Sequence, residues 1–275
     1  MEIIVTNDDG FEAKGIKSLV NILRPFGNLT VVAPKNPQSG MSMAVSMGYA
    51  PLAVKQISSA PGESWWYLDG TPASCVKYAN DNILFPRRAD LVVSGINHGS
   101  NAATAAIYSG TVGAAMEGAV NGIPSIAVSL DSFDKDADFS AVETLLPDLL
   151  RKLVANFSPR FGSFYNVNFP ALPASAIKGV RVGTMGMVHW EREYIQYGEE
   201  FLRSRNHTPS ERDLWYLDRV ESGEDLVVMA GDMTDNAVNP DNADHHSLAQ
   251  GWVTVTPCNI DNTDTSELQR LCDII

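Results

Sequence analysis

Two adjacent acids follow the first apolar run of the chain. Ile3, Ile4 and Val5 have the character of a buried strand, and Asp8 and Asp9 come shortly after them. Because neighbouring carboxylates repel each other, holding both near one point requires a positive partner. A hard divalent cation, which prefers carboxylate, carbonyl and hydroxyl oxygens, is the simplest candidate. The alternative is a plain turn, since Asn, Asp and Gly are also good turn formers.

Two further loops carry neutral oxygens suited to the same cation. Ser39 lies in a predicted loop over residues 35–49, and Asn97 follows the apolar run at 90–94. The carboxyl ends of parallel strands meet at one edge of a sheet, where ligands bind. Taken singly, Ser39 and Asn97 are ordinary turn residues. Taken together, the loops predict one Mg²⁺ or Mn²⁺ site, rather than a Zn²⁺ site, with the ligands Asp8, Asp9, Ser39 and Asn97.

A third segment is suited to an anion. Ser109, Gly110 and Thr111 precede a predicted helix rich in small residues, and the N–H groups at such a helix start attract phosphate. Asn97 is a further candidate for contact with the substrate. Small residues also allow a helix to pack tightly on a sheet, and both roles are compatible because they use different atoms. The spacing matches neither the dinucleotide-binding fingerprint nor the P-loop, which disfavours both kinds of nucleotide site.

Histidines are the candidates for proton transfer. Asp244, His245 and His246 are consecutive, and we predict His246 as a proton donor to a leaving alcohol. A solvated loop residue is the slightly stronger alternative. His98, beside Asn97, is a second candidate.

Composition limits the partners. The chain has 33 acidic against 20 basic residues, a net charge of −13, and so has no basic excess to neutralise a nucleic-acid duplex. A small phosphorylated ligand remains compatible because a bound metal offsets its charge. The sequence has three dispersed cysteines and neither a secretory signal pattern nor an apolar run of membrane-spanning length. We therefore expect a cytoplasmic protein without membrane contact.

The elements that must position these loops alternate between strand and helix. Apolar periodicity predicts strands at 2–6, 29–33, 90–94, 125–129 and 164–169, and helices at 13–24, 72–84, 109–119 and 140–155. This alternation predicts an α/β fold, with a Rossmann-like three-layer core and a mostly parallel sheet over residues 1–177.

Residues 178–275 have a different pattern. We expect mainly β-hairpins and extended arms there, with a final strand near 251–257 returning to the core. Exposed aromatic residues in such arms are typical of oligomer contacts, and covering the protein's own sheet edge is an equally good alternative.

Several distinctive stretches occur in a fixed order along the chain. They are residues 3–10, 32–34, 39–40, 69–73, 91–97, 108–118, 122–127 and 251–257. In this combination the chain resembles the SurE family (survival protein E, the 5′/3′-nucleotidases), over about residues 1–170 and the terminal strand. The resemblance implies a metal-dependent enzyme that hydrolyses nucleoside 5′- and/or 3′-monophosphates, and a homodimer or tetramer formed through the carboxyl-terminal arm.

The resemblance also implies roles for single residues. The family's metal ligands correspond to Asp8, Asp9, Ser39 and Asn97, and its phosphate contacts to 109–111. In our hypothesis Asp8 or Asp9 orients the attacking water. Residues 185–245 depart from the family pattern, which leaves the acid–base group open. The alternatives are a broad acid phosphatase, a short-chain exopolyphosphatase, or a nucleotide or metal sensor without turnover.

Overall fold

The structure is a computed structural model that describes residues 1–48, 50–134, 136–158, 160–204, 208–209, 211–221 and 223–275. Tyr49, at the end of the predicted loop over 35–49, lies outside the described residues. The described chain forms two compact units, one of Met1–Gly186 with Pro240–Ile275 and one of Met187–Asn239. The boundary at residue 177 and the role of the arms in oligomerisation stay predictions.

Strands and helices alternate through the first part of the chain. The strands are β1 Glu2–Thr6, β2 Asn28–Pro34, β3 Val54–Ala60, β4 Glu63–Leu68, β5 Leu91–His98, β6 Ser125–Leu130, β7 Ser163–Phe169, β8 Val180–Val182, β9 Val188–Glu191, β10 Tyr194–Gln196, β11 Val227–Met229, β12 Asp232–Asp235 and β13 Val253–Asn259. The α-helices are α1 Lys14–Leu23, α2 Pro72–Tyr78, α3 Ala105–Tyr108, α4 Gly110–Val120, α5 Ser140–Ala155, α6 Glu199–Ser204, α7 Glu211–Leu217, α8 Asp244–Ala249 and α9 Thr265–Cys272.

The main sheet has the strand order β3-β4-β2-β1-β5-β6-β7-β13-β8. Its central strands β4, β2, β1, β5, β6 and β7 are parallel. Among the described strands of this sheet, the antiparallel pairs are β3 with β4 and β13 with β7. The predicted α/β class with a mostly parallel sheet is therefore confirmed. Strands β1, β2, β5 and β6 open their loops at one edge, where the predicted site residues lie.

Helical periodicity and capping explain the helices next to this edge. The apolar residues of α1 recur at helical spacing and are buried, among them Ile16, Leu19 and Leu23. Burial of each such side chain contributes about 1.5–3 kcal/mol. At the start of α2, the Thr71 Oγ1 accepts a hydrogen bond from the Ser74 N–H at 3.2 Å, and Pro72 occupies the first helical position.

The carboxyl-terminal region contains more helix than its weak periodicity indicated. Two small antiparallel pairs are present among the described residues, β9 with β12 and β10 with β11. The four short helices α6 to α9 were not predicted, because runs of six to eight residues barely establish a period. Helix α9 does have a local signal, since the Asp264 side chain accepts hydrogen bonds from the Ser266 and Glu267 N–H groups. None of the helices in the described parts of the chain is long and apolar enough to cross a membrane.

Candidate active site at the carboxyl edge of the sheet

A tight turn presents the two acids at the end of β1. The strand ends at Thr6, and the Asn7 Nδ2 donates a hydrogen bond to the Gly10 carbonyl at 2.9 Å. Gly10 has φ +98°, which glycine adopts without the steric cost that a Cβ brings. Side chains of a continuing strand would alternate between faces. The turn removes that constraint from Asp8 and Asp9.

Asp8 is the more buried of the two acids. The residue is only 4% exposed, and its Oδ1 accepts a hydrogen bond from the Thr111 hydroxyl at 2.6 Å. Burial raises the pKa of Asp8 to about 6, and the neighbouring charge of Asp9 acts in the same direction. The hydrogen bonds from Thr111 oppose this rise without cancelling it.

Asp9 pairs with His98, the last residue of β5, which is a neighbour of β1 in the sheet. Its Oδ2 lies 3.0 Å from the Nδ1 and 3.3 Å from the backbone nitrogen of His98. The His98 ring in turn packs edge-on against Phe139, with the ring centroids 5.2 Å apart. Within the described residues neither Asp8 nor Asp9 forms an ion pair with a lysine or arginine. In the described part of the chain, the acid pair therefore has no lysine or arginine to offset its charge.

Asn97 offers an oxygen to the same edge. Its Nδ2 donates to the Gly99 carbonyl at 2.8 Å, and its Oδ1 accepts no hydrogen bond from the described residues. We predicted that the strand ends at Ser94, and this was wrong, because β5 continues to His98. The pairing of β5 with β6 shifts between Ser94 and Asn97. Such an irregularity redirects side chains at a strand end.

The start of α4 lies directly against Asp8. The Ser109 Oγ accepts a hydrogen bond from the Val112 N–H at 3.2 Å and so caps the helix. A Cβ built on Gly110 would lie 2.9 Å from the Asp8 Cβ. The Ser109 and Thr111 hydroxyls are thus engaged within the protein. An anion at this point would meet chiefly backbone N–H groups and the positive end of the helix dipole.

The loop that carries Ser39 is attached on both sides of that residue. The Gln38 N–H donates to the Asp8 carbonyl at 2.7 Å. On the other side, Ser42 donates through its N–H to the Tyr108 carbonyl at 2.8 Å and through its hydroxyl to the Ile107 carbonyl at 2.7 Å. Ser39 itself is exposed. These attachments place its loop between Asp8 and the start of α4, although nothing in the local sequence indicated them.

His246 forms no hydrogen bond with Asp8 or Asp9 among the described residues. It is half-buried in α8, where its ring centroid is 4.1 Å from that of His245. Of the two histidines considered for proton transfer, His98 is the one that is hydrogen-bonded to Asp9. The role of His246 stays a prediction.

The buried carboxylate of Asp244 links several backbone segments by hydrogen bonds. The Asp244 side chain is fully buried, and its Oδ1 accepts from the backbone N–H groups of Ala103, Gly186 and His245 at 2.9–3.0 Å. Its Oδ2 accepts from the Thr256 hydroxyl at 3.1 Å. Asp244 therefore connects the segment before α4 to β13.

Comparison with known proteins decides the family. The model of the survival protein SurE family matches residues 3–192. The chain belongs to the SurE family. The 5′-nucleotidase SurE of Cytophaga hutchinsonii is 36% identical over 269 residues, covering 98% of this chain and 95% of the relative. The 5′-nucleotidase SurE of Christiangramia forsetii is 37% identical, covering 95% and 92%.

A solved SurE structure has a similar fold. The crystal structure of the SurE protein from Aquifex aeolicus is 28% identical and superimposes with a TM-score of 0.78. The match covers 100% of this chain and 99% of that one. The resemblance that the motifs indicated is confirmed.

Replacing Gly113 by alanine in this SurE-family chain is expected to destabilise it by about 1–3 kcal/mol. Inside a helix the same change normally stabilises, by up to about 1 kcal/mol. The sign reverses because a Cβ at Gly113 would lie 1.9 Å from the Ser42 carbonyl oxygen, so α4 and the Ser39 loop must separate. Urea unfolding measures the effect. In the control Gly198→Ala, the new Cβ has no atom of the described residues within 4 Å. An unchanged or raised stability of Gly113→Ala would contradict the packing of this loop on α4.

Proposed function

We propose that this chain is a phosphomonoesterase that hydrolyses nucleoside 5′- and/or 3′-monophosphates to nucleoside and phosphate. The observation that carries the proposal is the pair Asp8 and Asp9 set against the amino terminus of α4, one motif for a cation and one for an anion. The names of the relatives, 5′-nucleotidase SurE, support the same activity.

A divalent metal ion, Mg²⁺ or Mn²⁺, belongs to this proposal. Asp8, Asp9, Ser39 and Asn97 would hold it. The donor set fits, because it consists of two carboxylates, a hydroxyl and an amide oxygen. Among the described residues, the carboxylates have no lysine or arginine partner and the amide oxygen accepts no hydrogen bond. When bound, the metal ion offsets the charge of the phosphoryl group and lowers the pKa of water.

Groups of the protein bind the phosphate, orient the water and supply the proton. Backbone N–H groups at 109–111 hold phosphoryl oxygens, and Asp8 or Asp9 orients the water that attacks phosphorus. The ester P–O bond breaks, and the leaving alcohol takes up a proton. His246 is the predicted donor, with His98 beside Asp9 as the alternative.

The assembly and location that we propose are a homodimer or tetramer in the cytoplasm. Several apolar side chains in the second unit are exposed and support a contact there, among them Tyr194, Trp215 and Met229. Light scattering coupled to size exclusion measures the assembly, and a monomer at micromolar concentration would contradict this part of the proposal.

Phosphate release from a panel of substrates tests the activity. The panel holds 5′- and 3′-nucleoside monophosphates, short-chain polyphosphate and an aryl phosphate, each with Mn²⁺, Mg²⁺ or EDTA. We expect release that depends on the metal ion and favours nucleotides. A preference for polyphosphate or for the aryl phosphate would support the two other hydrolase functions. Folded protein that binds nucleotide but releases no phosphate with either metal ion would support a sensor.

A further inference from the structure

A large aromatic side chain, that of Phe133, is exposed beside a loop of the candidate site. Phe133 follows β6 and is 86% exposed. Its ring lies directly over the backbone of Gly99, where a Cβ would come within 2.4 Å of the ring. Gly99 is two residues beyond the candidate ligand Asn97, and its neighbour His98 contacts Asp9. The Cα atoms of Asn97 and Gly99 are at most about 7.6 Å apart, twice the spacing of neighbouring Cα atoms.

The loop that carries Phe133 is attached at both ends. The Asp131 N–H donates to the Phe169 carbonyl at 2.9 Å, where the loop leaves β6. At its other end the Lys14 Nζ donates to the Ala137 carbonyl at 2.7 Å. Phe139, two residues further on, is buried and packs against the His98 ring. The backbone is therefore held on both sides of Phe133, whose ring lies against Gly99 next to His98.

We propose that Phe133 binds the nucleobase of the substrate by stacking. This inference rests on the proposed function, since it concerns the part of a nucleoside monophosphate that lies away from the phosphate. In this proposal the phosphate is held at the start of α4, and the nucleoside extends along the carboxyl edge of the sheet, where Gly99 follows β5 and Phe133 follows β6. Every base has an aromatic face, so an aromatic ring without polar groups favours nucleotides over phosphates that lack a base, with little choice among bases.

Truncation of the ring tests the proposal. For Phe133→Ala we expect the KM for adenosine 5′-monophosphate to rise roughly tenfold, as for loss of a base–aromatic contact, with kcat nearly unchanged. The KM for ribose 5-phosphate, which has the same phosphoester but no base, is expected to stay the same. Phe133→Trp should retain the wild-type KM for the nucleotide, because it keeps an aromatic face.

The chain offers a matched control. Phe161 is also exposed, at 68%, and also lies against a glycine, since a Cβ on Gly122 would be 3.4 Å from its ring. It precedes β7 and therefore lies at the amino ends of the parallel strands, away from the site. Phe161→Ala is expected to leave both KM values unchanged.

The outcomes separate this inference from the proposed function. Suppose that the wild type hydrolyses nucleotides. Stacking is then overturned if the KM of Phe133→Ala for adenosine 5′-monophosphate stays within twofold of wild type, or if its KM for ribose 5-phosphate rises by the same factor. If the wild type hydrolyses no nucleotide, the proposed function fails, and calorimetric binding of adenosine 5′-monophosphate decides. Stacking is supported if the wild type binds that nucleotide more tightly than ribose 5-phosphate and Phe133→Ala loses this difference. It is overturned if the wild type binds the two ligands equally.

Discussion

Replacing Asp8 by asparagine is expected to lower kcat/KM for nucleoside monophosphates about a thousandfold or more. The change removes the negative charge that would hold the divalent cation, and loss of metal-ion catalysis costs several kcal/mol, with each 1.36 kcal/mol worth a factor of ten in rate. The fold should persist, because the amide oxygen can still accept the hydrogen bond from Thr111. Phosphate release at saturating Mn²⁺ measures the effect, and circular dichroism checks the fold. Activity within tenfold of wild type would refute the assignment of Asp8.

The same substitution should stabilise the metal-free protein at neutral pH. The pKa of Asp8 rises from an ordinary 3.8 to about 6 on folding, so the folded state binds the proton more tightly than the unfolded state. The stability that this proton confers is present below pH 3.8 and is lost as the pH rises through 6, a loss of about 3 kcal/mol. About 2 kcal/mol of this loss falls between pH 4.5 and 7.5. Urea unfolding in EDTA at these two pH values should show it in wild type and not in Asp8→Asn. An equal pH dependence of the two proteins would contradict the burial of this carboxylate.

Replacing Asp244 by alanine is expected to lower the free energy of unfolding by about 3 kcal/mol or more. Three backbone N–H groups and the Thr256 hydroxyl would lose their acceptor, and each buried donor left unsatisfied costs about 1–3 kcal/mol. Urea unfolding measures the loss. Asp244→Asn should lose less, because its amide oxygen still accepts from some of these donors.

A nearby acid provides the control for Asp244. Asp241 is exposed, and Asp241→Ala is expected to change the stability by less than about 0.5 kcal/mol. If Asp244→Ala lowered the free energy of unfolding no more than Asp241→Ala, the hydrogen bonds of Asp244 would not stabilise the fold.

Residues close in sequence were sufficient to predict the strands and helices of the core. The run Glu2–Thr6, the apolar periodicity of α1 and the Thr71–Pro72 start of α2 each depend on neighbours within one or two turns. Buried parallel strands also read as continuous apolar runs, which made the class of sheet predictable. The adjacent acids at the end of β1 indicated where a site would form. Their roles in catalysis and metal binding stay predictions.

The contacts at the site and the pairing of β5 and β13 depend on residues that are distant in sequence. No local pattern could therefore predict them. Asp9 and His98 are 89 positions apart, and Asp8 and Thr111 are 103 apart. The extension of β5 beyond Ser94 depends on pairing with β6, and the position of β13 between β7 and β8 depends on both partners. Local propensity is weak beside such pairing and burial. The residue types near the site could therefore be inferred from the chain, whereas their distances, their burial and the raised pKa of Asp8 arise only when the sheet assembles.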